Sequence, residues 1–192
     1  TYIAAFFALN MIMGELHEQA HITTGYIICG CYGPRDFSIW STCEQCAHPS
    51  LAFLATLAGP LFSCLLMWWG AFLFCKSKDS VKQSFGFSLL FANLPFARIF
   101  TALTGGGDEK VVIHYLLGEN SPIIISKIIA SFFVLLVCVP PVVMVVKKLG
   151  NIERFWIVAG FLTIPLIYGM LYQHMFLNML LRNGIGAKTL IL

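Results

Sequence analysis

Five long apolar stretches decide what this chain can fold into: residues 2–28, 51–75, 85–103, 123–146 and 155–181. Inside them the charged residues are Glu15, Glu18, Arg98 and Lys127 alone, whereas the short segments between them carry charge at an ordinary density. Each stretch is long enough to cross a hydrocarbon core of about 30 Å as a helix. The whole chain of 192 residues is 58% hydrophobic and 11% charged, against roughly 25% charged for a soluble domain. That composition excludes a soluble globular domain and a disordered chain. A net charge of +3 is too small for a basic nucleic-acid footprint, so no nucleic-acid partner is expected. The expected fold is an all-α membrane protein with about five transmembrane helices. It forms a single domain over residues 1–192, with no internal repeat or linker. The first stretch is too long, and too polar at its end, for a cleavable signal peptide. Because the chain begins at Thr1 rather than Met, there is room for residues before it.

The loops at 76–84 and 147–154 are short and rich in Lys and Arg, while the longer segments at 29–50 and 104–122 are not. The positive-inside rule puts the basic loops in the cytoplasm and the longer loops in the other compartment. The first long loop holds Cys29, Cys31, Cys43 and Cys46. A C-x-C followed by a C-x-x-C can form disulfides, hold a structural zinc or remain as thiols, and an oxidising compartment favours disulfides. Cys64, Cys75 and Cys138 lie within the apolar stretches and read as packing residues. The segment from Tyr32 to Trp40 has turn and strand residues. It could form a short β-hairpin that pairs with extended peptide, or simply cap the fold.

Ionisable groups at membrane depth cost several kcal/mol, so those that occur are functional candidates. The first stretch contains His17-Glu18-Gln19-Ala20-His21, an H-E-x-x-H sequence. On a helix, residues i and i+4 share a face, so both imidazoles can reach one metal ion. Glu18 lies about 100° round the helix and can reach a water on that ion without ligating it. This is the zinc hydrolase arrangement, two histidine ligands and a carboxylate general base. The competing reading is a buried hydrogen-bond network of the same three residues. Glu15 points nearly the opposite way and is expected to pair with another intramembrane group, Arg98 being one choice.

A catalytic zinc takes a third protein ligand and leaves one position open. His48, Asp108, Glu109, His114 and His174 are the candidates. Asp108 is preferred because Gly105-Gly106-Gly107 precedes it, and glycines allow a tight backbone approach. A glycine-rich turn with solvated acids is the plainer alternative. His48 and His114 read as ordinary loop and helix residues, and His174 with Asn178 as an interhelical hydrogen-bonding face.

Together these residues resemble the site-2 protease family of intramembrane zinc metallopeptidases. Three elements carry the resemblance, in the family's order: the H-E-x-x-H of His17–His21, then Leu57-Ala58-Gly59-Pro60-Leu61, then Ala92-Asn93-Leu94-Pro95 followed by Gly107-Asp108-Glu109. They span a site-bearing core of about residues 11–118. Glu109 stands where the family commonly has Gly, and Ser63 where it often has Asn. The resemblance implies one catalytic Zn2+ held by His17, His21 and Asp108, with Glu18 as general base. Asn93 would hydrogen-bond the substrate or the developing oxyanion. The implied reaction is hydrolysis of a peptide bond in a protein substrate within or beside the lipid bilayer. Two other classes stay open. One is a catalytically inactive membrane relative that acts as a binding or scaffold protein. The other is a thiol-redox or metal-handling membrane protein using Cys43-Glu44-Gln45-Cys46.

Overall fold

The computed structural model describes residues 2–36, 39–118, 120–149 and 152–171. The chain is all-α in class. Helix α1 (Tyr2–Cys29) leads into a disulfide-bearing loop, followed by a single 3-10 turn at Pro49–Leu51. Then come α2 (Ala52–Lys76), α3 (Ser80–Ala92), α4 (Pro95–Thr104), α5 (Asp108–Leu117), α6 (Ile123–Leu149) and α7 (Ile152–Leu171). In the loop, two two-residue strands, β1 (Arg35–Asp36) and β2 (Ile39–Trp40), pair antiparallel with Arg35 opposite Trp40. This is two rungs, and it leaves the class unchanged.

Among the described residues, three segments are long and apolar enough to cross a membrane: Pro49–Lys76, Ser80–Thr104 and Ile123–Leu149. Of the five spans expected, three meet that length and composition among the described residues. In α1 the two glutamates and two histidines lower the apolar character of the C-terminal half. The last stretch forms α7, whose apolar run is Phe155–Ile167, and residues 172–181 lie outside the described residues.

The third stretch is two helices, not one. Pro95 cannot donate to the ladder, and its ring disfavours helical geometry in the residue before it. Leu94 leaves helical geometry for a left-handed conformation (φ 52°), and α4 starts with Pro95 at its first turn. Asn93 closes α3, its Nδ2 donating to Leu89 O at 2.7 Å. At the other end of α3, Asp79 caps the helix by accepting from Val81 N at 2.8 Å, the role for which a short acidic side chain is favoured.

The helices pack through small residues. A Cβ on Gly70 would lie 2.7 Å from Gly86 O, so the backbones of α2 and α3 touch there. Helix α6 runs unbroken through Pro140 and Pro141 and buries Ser126, Ala130, Val134 and Cys138 at four-residue spacing. Its outer face carries Ile128, Phe132 and Leu136, each more than half exposed. At the core, Phe161 of α7 meets Phe6 of α1 at 4.6 Å and Phe87 of α3 at 5.1 Å between ring centroids, both edge to face. Such pairs contribute about 0.5–1.5 kcal/mol each beyond area burial.

The two basic segments share one end of the bundle, where Lys148 Nζ of α6 donates to Cys75 O at the end of α2 at 2.8 Å. The opposite end carries the disulfide loop and the start of α2, where Tyr115 Oη of α5 donates to Ser50 O at 3.0 Å.

Candidate metal centre

Helices α1 and α2 run antiparallel and meet along matching stripes. On α1 the stripe is His17 and His21. On α2 it is Ala55, Gly59 and Ser63, also four residues apart. Ser63 Oγ lies 3.0 Å from His17 Nδ1, and Ala55 O lies 2.8 Å from His21 Nδ1. Gly59 sits between these contacts. A Cβ there would come within 2.6 Å of His21 Cε1 and 2.7 Å of His17 Cε1, and closer still to His21 Nε2. Only a residue without a side chain lets α2 approach this closely.

Asp108 reaches the pair from α5. Gly107 precedes it with φ 90° and turns the chain so that Asp108 opens the helix, where a carboxylate also suits the positive end of the helix dipole. Asp108 Oδ2 lies 3.6 Å from His17 Nε2 and 3.5 Å from His21 Nε2. The two Nε2 atoms are 3.1 Å apart. Burial alone would raise the Asp108 carboxyl, but the interactions with His17 and His21 outweigh it and hold the group well below the usual carboxylate range.

These side chains fit a zinc ion. Ligand atoms about 2.0–2.1 Å from a tetrahedral ion lie about 3.3–3.4 Å from one another. The three observed separations bracket that edge length. His21 is also turned correctly. A backbone carbonyl can only accept, so Nδ1 carries the proton and donates to Ala55 O, leaving the Nε2 lone pair on the common point. Indole stacking covers this ring, with Trp40 of β2 centred 5.0 Å from His21 at 21° between planes. His21 is 1% exposed.

Glu18 is half-buried beside the pair, near enough for its charge to act on His21. Arg98, one choice of partner for Glu15, goes elsewhere. Its Nη1 donates to Glu109 Oε1 at 3.1 Å and its Nη2 lies 2.8 Å from His17 Nδ1. Glu15 accepts from Gln19 Nε2 at 3.0 Å. Glu109, a candidate ligand by sequence, is thus an ion-pair partner one residue after Asp108. His114 Nδ1 contacts Ser126 Oγ at 3.2 Å and Ser121 Oγ at 3.3 Å, an ordinary helix-packing role. His48 precedes the 3-10 turn at the head of α2. His174 and Asn178 lie outside the described residues.

Asn93 is 5% exposed at the break between α3 and α4, outside the His17–His21–Asp108 cluster. Its Nδ2 is spent on Leu89 O, and its Oδ1 is buried with no hydrogen-bond partner. An unpaired acceptor suits a peptide N–H, whereas an oxyanion needs a donor.

The loop cysteines pair as Cys29–Cys46 and Cys31–Cys43. Cys43 and Cys46 are therefore tied to two different partners rather than to each other. This fixes the ends of the loop that carries Trp40.

Ser63, Ala55 and Trp40 were not among the site residues expected from the sequence. The Ala55-Gly59-Ser63 spacing was a usable signal, since a small-residue stripe at period four marks a face built for close helix approach. Trp40 left none, because its position depends on how the loop folds back. No family model, curated protein or solved structure matches this chain.

Proposed function

We propose that this chain is a zinc-dependent intramembrane endopeptidase, hydrolysing peptide bonds of a membrane-embedded or membrane-adjacent protein. One observation carries the reading: His17 Nε2, His21 Nε2 and Asp108 Oδ2 converge at tetrahedral edge lengths in a bundle with an apolar exterior. A zinc ion held by His17, His21 and Asp108 would supply Lewis acidity to the scissile carbonyl and to a water.

The residues of the chain do the rest. Ala55 O holds His21 in the ligating tautomer, and Trp40 shields its ring from water. Glu18 takes the proton of the attacking water and delivers it to the leaving amine. A substrate helix must unwind before cleavage, because its carbonyls are already hydrogen-bonded. The buried Oδ1 of Asn93 is an acceptor available to a peptide N–H so freed.

Membrane insertion is supported by the exposed Ile, Leu and Phe of α6 and by the clustering of lysines at one end. Two disulfides at the opposite end agree with an oxidising compartment on that side. The test is elemental analysis together with cleavage of a membrane-protein substrate. His21→Ala should lose stoichiometric zinc, and Glu18→Gln should keep zinc while losing cleavage. Zinc retained by His21→Ala would refute the site.

A further inference from the structure

Between Cys31 and Cys43 the loop carries the β1–β2 hairpin, and the hairpin lays Trp40 on His21. Zinc ligation by itself has no use for an indole. The three ligand side chains are unequally covered: His21 is 1% exposed, His17 15% and Asp108 35%. The centre is closed on the side of the loop and open on the side of Asp108.

Several contacts hold Trp40 in place. The indole lies over His21 and over Gly25, which is buried one turn later. A Cβ on Gly25 would stand 3.5 Å from Cζ3 of the ring, so the indole rests on bare helix backbone. The loop meets α1 a second time where Tyr32 stacks on Tyr26 at 4.4 Å between centroids. The hairpin itself is weak. It has two rungs, and beyond them Ser41 N donates to Pro34 O at 3.1 Å. A two-stranded ribbon of this size is marginal without a further constraint. The Cys31–Cys43 bridge supplies one by closing the chain around both strands. Gly33 lets the two arms touch inside that ring, since a Cβ there would collide with Ser41 O and lie 2.7 Å from Thr42 C. The outer bridge, Cys29–Cys46, joins ends that Ala47 N already holds by donating to Cys29 O at 3.2 Å. The inner bridge is therefore the one on which the place of Trp40 depends.

We propose that the Cys31–Cys43 bridge and Trp40 form one tether that sets how long a metal ion stays on His21. Trp40 is a positioning residue acting through His21. The contact with Ala55 O fixes one point of the imidazole, and the stacked indole fixes its plane and keeps water off its face. A ligand must turn away, or give place to water, before an ion leaves, and the indole slows both. The bridge acts at one remove, by holding the hairpin. The tether rests on the zinc reading given above, and adds which residues outside the ligand set retain the ion.

The experiment loads the full chain with zinc in detergent and follows its transfer to excess chelator. Trp40→Ala and Cys31→Ser/Cys43→Ser should each release zinc about 10-fold faster than the unaltered chain, the scale for loss of a residue that supports a ligand. The serine variant leaves no free loop thiol to bind zinc, because Cys29 and Cys46 remain bridged. The two changes combined should be no faster than Trp40→Ala, since the bridge acts only through the indole. Trp40→Phe keeps a stacking ring and should keep slow release. Effects that multiply in the combined variant overturn the tether. Zinc bound by every form with one common release rate also overturns it, while leaving the zinc site standing. No zinc in any form, the unaltered chain included, overturns the zinc reading and the tether together. A second readout uses metal-free protein. Carbethoxylation by diethylpyrocarbonate, mapped by mass spectrometry, should increase at His21 relative to His17 in Trp40→Ala; an unchanged ratio overturns the tether.

Discussion

Among the glycines between described helices, Gly59 leaves the least room for a side chain, and replacing it with alanine tests whether the His pair is held as rigidly as metal binding demands. The added Cβ would sit 2.6–2.7 Å from the Cε1 atoms of His21 and His17 and nearer to His21 Nε2. Ordinary contact between carbon atoms begins near 3.5 Å. Relief therefore needs a movement of about 1 Å, by the rings or by α2. The rings have little freedom, because His21 is fixed by Ala55 O and Trp40, and His17 by Ser63. Metal–ligand distances tolerate only about 0.2 Å. Overpacking of this kind costs about 1–3 kcal/mol, and each 1.4 kcal/mol is a tenfold change in affinity. Gly59→Ala should weaken zinc binding about 10- to 100-fold in a chelator competition. Gly14→Ala is the matched control on α1, since nothing lies within 4 Å of a Cβ there, and it should bind zinc unchanged. Zinc affinity of Gly59→Ala within twofold of the unaltered chain would refute the account of the site.

Three further outcomes are expected. Glu18→Gln should bind zinc normally and lower the cleavage rate about 10²- to 10⁴-fold, the range for loss of a general base; undiminished cleavage would remove Glu18 from the chemistry. Asp108→Ala should reduce bound zinc below one per chain by elemental analysis, and full retention would place the third ligand elsewhere. The double variant Cys29→Ser/Cys46→Ser opens a loop of 17 residues, which by chain entropy costs about 3 kcal/mol. Urea titration of the detergent-solubilised protein should show that loss, and an unchanged midpoint would mean that the bridge does not constrain the unfolded chain.

Much of the site was legible because it depends on local geometry. His17 and His21 share a face at any helical rotation, and a glycine run before Asp108 signals a turn. Asp108 joins the pair as expected. Less legible were the features set by which helix lies opposite which. Arg98 was one conceivable partner for Glu15, but α4 and α5 bring it to Glu109 and His17 instead. The third apolar stretch read as one span because hydropathy is blind to backbone geometry, although Pro95 was visible. The cysteine spacing admitted three chemistries, and only proximity selects Cys29–Cys46 and Cys31–Cys43.

By itself the sequence determined the helical class and the H-E-x-x-H face. Apolar length and the 3.6-residue period are properties of single segments, and they act before any segment meets another. Only the tertiary structure decided the register of α1 against α2, which puts Ser63 on His17 and Ala55 O on His21. It also decided the place of Trp40 and the position of Arg98. Those depend on contacts between residues far apart in the chain, where close packing and the pairing of buried polar groups select among arrangements that a one-dimensional pattern cannot rank.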